Sequence, residues 1–303
     1  MGKKISSTKA MKHVIFMKAK YWLCSLLLCC YASAYSQKNK RTIASLIKAD
    51  QYLQKTIAKK GINKGFIKLS DILATTFKPN AVDLKSYYAN SPIDSNIYNL
   101  QPAVAYIAKS GDFGITTGPY IDSRKQNADL FYGNYIAVWR SNPQDIWKLV
   151  LHVNIPSPTF TLVEKIKLDV PNDEKYSRLL GPVKIQLRKD IVFSTDELLG
   201  KSLSYIGNKS FLEYYSSNVK LLLANNKVLE GVDEVIPFFN SQNINILCEP
   251  INSNRAFSGD LAYTYGRAIL STKNQKKIYN YIRIWQIQAD MKWYIIIDAY
   301  VPI

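Results

Sequence analysis

The sequence predicts an α+β protein built from two similar domains, and three observations support this prediction. First, segments within residues 102–156 recur about 148 positions later, within residues 250–302. Second, helical periodicity precedes strand-like segments in each copy, which is typical of the α+β class. Third, the 303-residue chain is 47% apolar and 12% aromatic, which is enough to fill two hydrophobic cores.

The first 34 residues have the pattern of an export signal and are set apart from the fold. Residues 1–20 contain six lysines and no acid, and a short apolar run (YWLCSLLLCCY) follows at 21–31. That run is shorter than the roughly 20 residues that span a bilayer, and 32–34 (ASA) suits signal peptidase. We therefore expect an exported protein, periplasmic or extracellular, with no integral membrane segment after cleavage. An uncleaved anchor helix is the alternative.

Cysteine usage and charge limit the chemistry of the mature chain. Three of the four cysteines lie in the signal, so Cys248 alone remains and no internal disulfide is expected. The formal net charge of +17 falls to about +11 after cleavage, and the lysines are dispersed. This pattern does not predict nucleic-acid binding. One remaining histidine, one cysteine and no clustered acids predict neither a metal site nor a cofactor.

Several short motifs carry the repeat, and they occur in the same order in both copies. Residues 110–118 (SGDFGITTG) match 258–266 (SGDLAYTYG), and 134–139 (NYIAVW) match 280–285 (NYIRIW). Further matches align two tryptophans and two prolines at an offset of 146, namely Trp147 with Trp293 and Pro156 with Pro302. Ordered matches of this kind indicate a duplicated domain.

Each copy is predicted to begin with helices and to end with an antiparallel meander. We expect helices near 42–60, 64–75 and 81–89, then near 195–207, 209–216 and 231–240. The helix near 195–207 would open with a capping box of Ser194 and Glu197. We expect strands at 102–109, 113–121, 131–140 and 147–155, then at 250–257, 261–271, 278–287 and 293–301. The domains are therefore placed at 42–158 and 194–303. Residues 159–193 contain strand-like stretches (VKIQL, DIVF) and are predicted to be a linker with partial structure.

At these motifs each copy resembles a nuclear-transport-factor-2-like (NTF2-like) domain of the SnoaL-like and ketosteroid-isomerase-like superfamily. The resemblance is to a branch of unknown function found in exported bacterial proteins. It rests on SGDFGITTG, YIAVW and WKLVLH in copy one and on SGDLAYTYG, YIRIW and WYIIID in copy two. It implies a cone-shaped, cystatin-like fold with N-terminal helices packed on a curved, mostly antiparallel sheet. It also implies that the two domains pack as a pseudo-dimer.

One position of the resemblance differs between the copies. His152 occupies the place that Asp298 has in copy two, five residues after the final tryptophan. Related isomerases use a carboxylate base in an apolar cavity, with a tyrosine or a neutral acid holding the oxyanion. Asp298 and His152 are therefore candidate general bases, with Tyr281 or Tyr300 beside Asp298. The alternative is a structural role for both, as a strand-end cap and a satisfied core or rim histidine.

Other repeated residues are interpreted mainly as architecture. Asp112 and Asp260 suit tight Ser-Gly-Asp turns. Gly118 and Gly266 predict bulges or bends in a curved sheet. The repeated tryptophans are expected in the cores. The candidates for lining a ligand cavity are Tyr135, Trp139, Tyr281, Trp285 and Tyr300.

The sequence leaves three functions open. The first is binding of a small, largely apolar ligand in one or both domain cavities. The second is an enzyme of isomerase, dehydratase or hydrolase type with Asp298 or His152 as the base. The third is a non-catalytic protein-interaction or assembly module with filled cavities. The position of Asp298 and His152 relative to any cavity distinguishes them.

Overall fold

A computed structural model of the protein describes residues 41–92, 97–123, 130–172, 175–176 and 181–303. The signal predicted at 1–34 lies outside the described residues. Arg41–Ile303 form one unit by their contacts. Among the helices of the described ranges, none is long and apolar enough to cross a membrane.

The first half, which we call module one, starts with helices and ends with long strands. Its helices are α1 (Ile43–Lys60), α2 (Ile62–Leu69) and α3 (Leu84–Asn90). Its strands are β1 (Ser70–Phe77), β2 (Ala81–Asp83), β3 (Ile97–Leu100), β4 (Val104–Ile107), β5 (Phe113–Ser123), β6 (Leu130–Ser141) and β7 (Trp147–Ser157). A short strand, β8 (Lys167–Asp169), follows and pairs in parallel with β4.

The second half, module two, repeats this order. Its helices are α4 (Pro182–Ile206), a 3₁₀ turn (Gly207–Ser210), α5 (Phe211–Tyr214) and α6 (Val232–Ser241). Its strands are β9 (Tyr215–Leu223), β10 (Leu229–Glu230), β11 (Asn245–Arg255), β12 (Leu261–Ser271), β13 (Lys276–Ile287) and β14 (Trp293–Pro302). The α+β class is confirmed, with helices before strands in both halves.

The two sheets share one topology in the described part of the chain. Module one has the order β2-β1-β7-β6-β5-β4-β8, with β3 also on β5, and module two has β10-β9-β14-β13-β12-β11. The long strands form antiparallel meanders, whereas β1 and β9 pair in parallel with the last strand of their own module. Each sheet is therefore mostly antiparallel, as expected.

Side chains alternate between two different cores along each central strand. In β6, Tyr135 and Trp139 pack with the module's helices, whereas Ile136 and Val138 pack on the other face. That other face shares one apolar cluster with the matching face of module two, which includes Ile282. The sheets are thus buried on both faces, and this explains strands such as NYIAVW that are apolar at successive positions.

Two helix predictions were wrong at their C-terminal ends. The helix expected at 64–75 ends at Leu69, and the one expected at 209–216 ends at Tyr214. Strands β1 and β9 begin at the next residue in each case. Their backbone groups pair with the final strand of the module, and this tertiary pairing overrides the local helical pattern.

The segment before copy two also differs from the prediction. The helix expected at 195–207 starts earlier, at Pro182, and proline at the first turn suits a helix start. Residues 183–187 (VKIQL) and 190–193 (DIVF) are therefore helical, not strand-like. Since Ser194 lies inside this helix, it cannot form the predicted capping box.

Candidate functional site

The interior of module two contains a buried charge cluster centred on Arg283. The Arg283 side chain is fully buried. Its Nη1 donates to Oδ1 of Asp196 from α4, and its Nε donates to Oδ1 of Asp298 at 3.3 Å. Its Nη2 lies 3.1 Å from the hydroxyl oxygen of Tyr300. One cation therefore faces two buried carboxylates.

Asp298, a candidate base, is held by this cluster. The hydroxyls of Tyr215 and Tyr300 donate to its Oδ2 at 2.7 and 3.0 Å. Burial raises the pKa of Asp298, while Arg283 and the two tyrosine hydroxyls oppose that rise. Of the two expected tyrosines, Tyr300 meets Asp298, whereas Tyr281 donates to Asp196 at 2.9 Å.

The interior of module one contains a matching carboxylate without this arginine. Asp50 of α1 accepts hydrogen bonds from the hydroxyls of Thr116 and Tyr135, the latter at 3.1 Å. Asp50 and Asp196 occupy matching places, since each lies on the first helix of its module and accepts from the matched tyrosine. Burial raises the pKa of Asp50 to about 6, and the two hydroxyl donors oppose this.

His152, the other candidate base, is buried beside Tyr135. Its ring centroid lies 5.9 Å from that of Tyr135 and 4.6 Å from that of Phe66. Nε2 of His152 is buried and has no hydrogen-bond partner among the described residues. Burial lowers the pKa of His152 to about 3, and the positive charge of Lys78 adds to this. The imidazole is therefore neutral at pH 7.

The difference between His152 and Asp298 belongs to a coordinated change of charge. At an offset of 146, Arg283 of module two corresponds to Ala137 of module one. The cross-strand registers agree, because Ala137 lies opposite His152 and Arg283 lies opposite Asp298. A buried charge is stabilised when a charge of opposite sign pairs with it. Arginine and aspartate therefore occur together in module two, and alanine and neutral histidine occur together in module one.

The five aromatic residues proposed to line a cavity are all fully buried. The indole Nε1 of Trp139 donates to the Thr116 hydroxyl at 2.9 Å, and that of Trp285 donates to the Thr264 hydroxyl at 2.8 Å. Both tryptophans are thus core residues with satisfied donors. The described residues form one cavity between the modules and one within module two. Neither cavity is lined by any of these five residues, by Asp298 or by His152.

The repeated Ser-Gly-Asp turns meet each other between the modules. The backbone N–H of Ser110 donates to Oγ of Ser258 at 3.1 Å, and the N–H of Ser258 donates to Oγ of Ser110 at 3.1 Å. The N–H of Lys109 donates to Asp260, and the N–H of Phe257 donates to Asp112. Each turn thus donates to the other turn and accepts from it at equivalent positions of the repeat. The turns therefore have a second role beyond their tight geometry.

The glycines of these turns and strands are explained by geometry. Gly111 and Gly259 have φ of 65° and 78°, a region that glycine occupies readily. A Cβ on Gly118 would lie 2.0 Å from the carbonyl oxygen of Gln101, between β3 and β4, and one on Gly266 would lie 2.0 Å from that of Glu249 in β11. Beside Gly266 the β11–β12 register shifts between Pro250 and Asn252, in agreement with the predicted bulge.

A cavity of about 480 Å³ lies where the two modules meet. Module one contributes Val104, Thr117 and neighbouring residues of its sheet, together with the segment 161–165 that follows β7. Module two contributes Leu222 and neighbouring residues of β9 and β10. The volume is in the range of small-molecule sites. A second cavity of about 260 Å³ lies in module two, lined by residues that include Asn225, Phe238 and Tyr279.

Solved structures similar to this chain include NTF2-like and ketosteroid-isomerase-like proteins. An NTF2-like protein of unknown function from Shewanella oneidensis has 14% identity and a TM-score of 0.31, covering 37% of this chain and 96% of that protein. An NTF2-like protein from Cytophaga hutchinsonii has 13% identity and a TM-score of 0.32, with 38% and 97% coverage. Similarity at this level concerns the fold alone. No protein-family model and no curated protein matches the sequence.

A third similar structure contains a bound small molecule. This Mycobacterium tuberculosis protein was crystallised in complex with estradiol-17β-hemisuccinate. It has 8% identity and a TM-score of 0.30, covering 37% of this chain and 92% of that protein.

Sequence reasoning missed Arg283 and the pair Asp50 and Asp196. The signal for Arg283 was present, because NYIAVW and NYIRIW differ at that position. The two aspartates lie upstream of the motifs that revealed the repeat. Their correspondence follows once α1 and α4 are aligned by their contacts to Tyr135 and Tyr281.

Proposed function

We propose that this chain is an exported, non-catalytic protein that binds a small, largely apolar ligand in the cavity between its two modules. The cavity of about 480 Å³ carries this proposal. Its walls include Val104, Pro119, Leu222 and Val228, which supply the apolar surface that such a ligand needs. The site differs from the expected one, because it lies between the sheets of the two modules and not in the interior of either module.

The charges at the cavity favour a ligand without net charge. Lys165 and Lys220 line it together with Glu164 and Glu230. Lys220 Nζ also pairs with Glu230 Oε1. Positive and negative side chains are thus balanced, and neither a strong anion nor a strong cation is preferred.

The alternative of an enzyme receives less support from the interiors of the modules. Asp298 already accepts from Tyr215, Tyr300 and Arg283, so a substrate would have to displace these donors. His152 has an unpartnered Nε2, but it is packed against Phe66 and Tyr135. A general base must come within hydrogen-bond reach of the proton it removes.

We also propose that the modules pack as a pseudo-dimer around the contact between Ser110 and Ser258. The reciprocal hydrogen bonds of the two turns support this arrangement. A shared apolar cluster between the facing sheets, with Ile136, Ile155, Ile282 and Ile284 among its members, supports it further. The ligand cavity would then depend on both modules.

Ligand binding can be tested with N-phenyl-1-naphthylamine, an uncharged apolar dye that fluoresces when bound. We expect saturable binding to the full chain and its loss in Leu222→Phe, which fills the cavity. Leu212→Phe, at an exposed site outside the cavity, is the matched control and should bind like the wild type. Equal binding by the wild type and Leu222→Phe would place the dye elsewhere and contradict the proposal.

Export can be tested separately by expressing the full chain in a bacterium and fractionating the cells. We expect the protein outside the cytoplasm, with a new N-terminus near residue 35 when its mass is measured. A cytoplasmic protein of full mass would overturn the export proposal without affecting the binding proposal.

A further inference from the structure

The two-fold arrangement of the modules places a second site opposite the cavity. Strand registers define the correspondence, because Thr75 lies opposite Leu151 in module one and Lys220 lies opposite Ile297 in module two. Leu151 and Ile297 match at the offset of 146. It follows that Phe77 corresponds to Leu222.

The same correspondence holds across the central strands. Thr117 of β5 corresponds to Tyr265 of β12, because each is the eighth residue of the repeated nine-residue motif, SGDFGITTG at 110–118 and SGDLAYTYG at 258–266. Asn134 of β6 corresponds to Asn280 of β13, since each is the first residue of the NYI motif. The three residue pairs allow a direct comparison of the two sites.

The site on the Tyr265 side is filled by the protein itself. The rings of Phe77 and Tyr265 are in an edge-to-face contact, with centroids 5.7 Å apart and an interplanar angle of 70°. Directly after Phe77, the turn before β2 brings the carbonyl oxygen of Pro79 to Asn280, whose Nδ2 donates to it. A ring and a carbonyl group of module one thus occupy this site.

The opposite site is the cavity, and its three corresponding residues all line it. Leu222 lies where the filled site has Phe77, Thr117 lies where it has Tyr265, and Asn134 lies where it has Asn280. Leucine and threonine are smaller than phenylalanine and tyrosine, so the space taken by the rings stays open. Within the described part of the chain, the side chain of Asn134 has no hydrogen-bond partner. The turn after β9, which corresponds to the turn that carries Pro79, is held instead at the end of β7, where the Asn225 N–H donates to the Pro156 carbonyl at 2.8 Å.

We infer that the ligand of this cavity carries a planar apolar ring and an uncharged carbonyl group. The ring takes the space that the smaller side chains of Leu222 and Thr117 leave open, where its flat faces pack against apolar walls that include Val104 and Pro119. The carbonyl oxygen accepts a hydrogen bond from Nδ2 of Asn134, as the Pro79 carbonyl does from Asn280. This inference rests on the proposed binding function and specifies the ligand class, which is an aryl amide, ketone or ester.

Three small probes separate the two features of the ligand. They are 3-phenylpropanamide, with ring and carbonyl, ethylbenzene, with the ring and no hydrogen-bonding group, and butanamide, with the carbonyl and no ring. Binding to the full chain is measured by chemical-shift perturbation in NMR titrations. We expect 3-phenylpropanamide to bind at least about fivefold more tightly than either of the others, since a net hydrogen bond contributes on that scale.

Variants locate the carbonyl contact. Asn134→Ala should weaken 3-phenylpropanamide about fivefold to tenfold and should change the affinity of ethylbenzene less than twofold. The matched control Asn280→Ala, on the filled site, should leave the affinity of both unchanged. Circular dichroism of each variant checks folding. The comparison of the three probes on the wild type tests the ligand class even if a variant fails to fold.

The outcomes distinguish this inference from the function on which it rests. If the three probes bind equally, or if Asn134→Ala weakens ethylbenzene as much as the amide, the ring-and-carbonyl class is overturned. Dye binding that is lost in Leu222→Phe would still support an apolar site. If neither the dye nor any probe binds the wild type, both proposals fail.

Discussion

The side-chain oxygens of Ser110 and Ser258 lie 2.7 Å apart, and each accepts a hydrogen bond from the other residue's backbone N–H. The two residues come from the same position of the repeat, so equivalent atoms of the two modules meet at this contact. The Ser-Gly-Asp motif therefore links the modules in addition to forming a turn within each of them.

Replacement of either serine should weaken this link in a coupled way. Ser110→Ala and Ser258→Ala are each expected to cost about 1–2 kcal/mol in free energy of unfolding, because each leaves a backbone donor without its partner. The double variant should cost at least about 0.5 kcal/mol less than the sum. Urea denaturation measures all three, with exposed Ser241→Ala as the control. Strict additivity would contradict a shared contact.

Removal of Arg283 should be strongly destabilising. Arg283→Ala leaves Asp196 and Asp298 buried without a cation, and breaking a buried ion pair in this way costs about 3–5 kcal/mol. The double variant Arg283→Ala with Asp298→His reproduces the Ala137 and His152 pair of module one. We expect it to be more stable than Arg283→Ala alone, by thermal and urea unfolding. A double variant that is less stable would contradict the coordinated exchange.

The carboxylate of Asp50 should make the protein less stable as the pH rises. Its folded pKa of about 6 lies above the ordinary aspartate value of 3.8, so the folded state binds this proton more tightly. The resulting stabilisation is present below pH 3.8 and is lost as the pH rises through 6. Asp50→Asn removes this pH-dependent contribution to the free energy of unfolding. Its stability relative to the wild type should increase by about 2–3 kcal/mol between pH 4 and pH 7.5. A pH-independent difference would contradict the raised pKa.

His152 should have the opposite effect on stability. Its folded pKa of about 3 lies below the ordinary histidine value of 6.5, so the stabilisation is present above pH 6.5 and is lost as the pH falls towards 3. Between pH 6.5 and pH 4 this loss amounts to about 3 kcal/mol. His152→Leu should lack that part of the acid dependence in urea unfolding curves. A parallel acid dependence in the variant and the wild type would show that His152 titrates normally.

The fold could be predicted because the repeat motifs lie on the central strands. SGDFGITTG and NYIAVW cover most of β5 and part of β6, where turn residues and aromatic or β-branched residues agree with the observed structure. Strands β1 and β9 could not be predicted in the same way. Their pairing partners are the last strands of each module, about 80 residues away, and no local pattern encodes such a contact.

The candidate site could be predicted only in part. Comparison of the copies identified His152 and Asp298 as a difference in charge between the modules. It could not show that Ala137 and Arg283 lie directly opposite them, since cross-strand register depends on the bulge in β6–β7 and β13–β14. The cavity between the modules was not predicted, because it is formed by segments such as 161–165 and β9 that the motifs do not include.

The contact of Phe77 with Tyr265 has a consequence for how many ligands one molecule holds. Two separate but identical modules would form two identical junctions, and both would be open or both closed. Because one chain encodes both modules, one junction can be closed by its own ring while the other stays open. The expected stoichiometry at these junctions is therefore one ligand per chain. The closed junction contributes packing between the modules, and the open junction is left for the ligand.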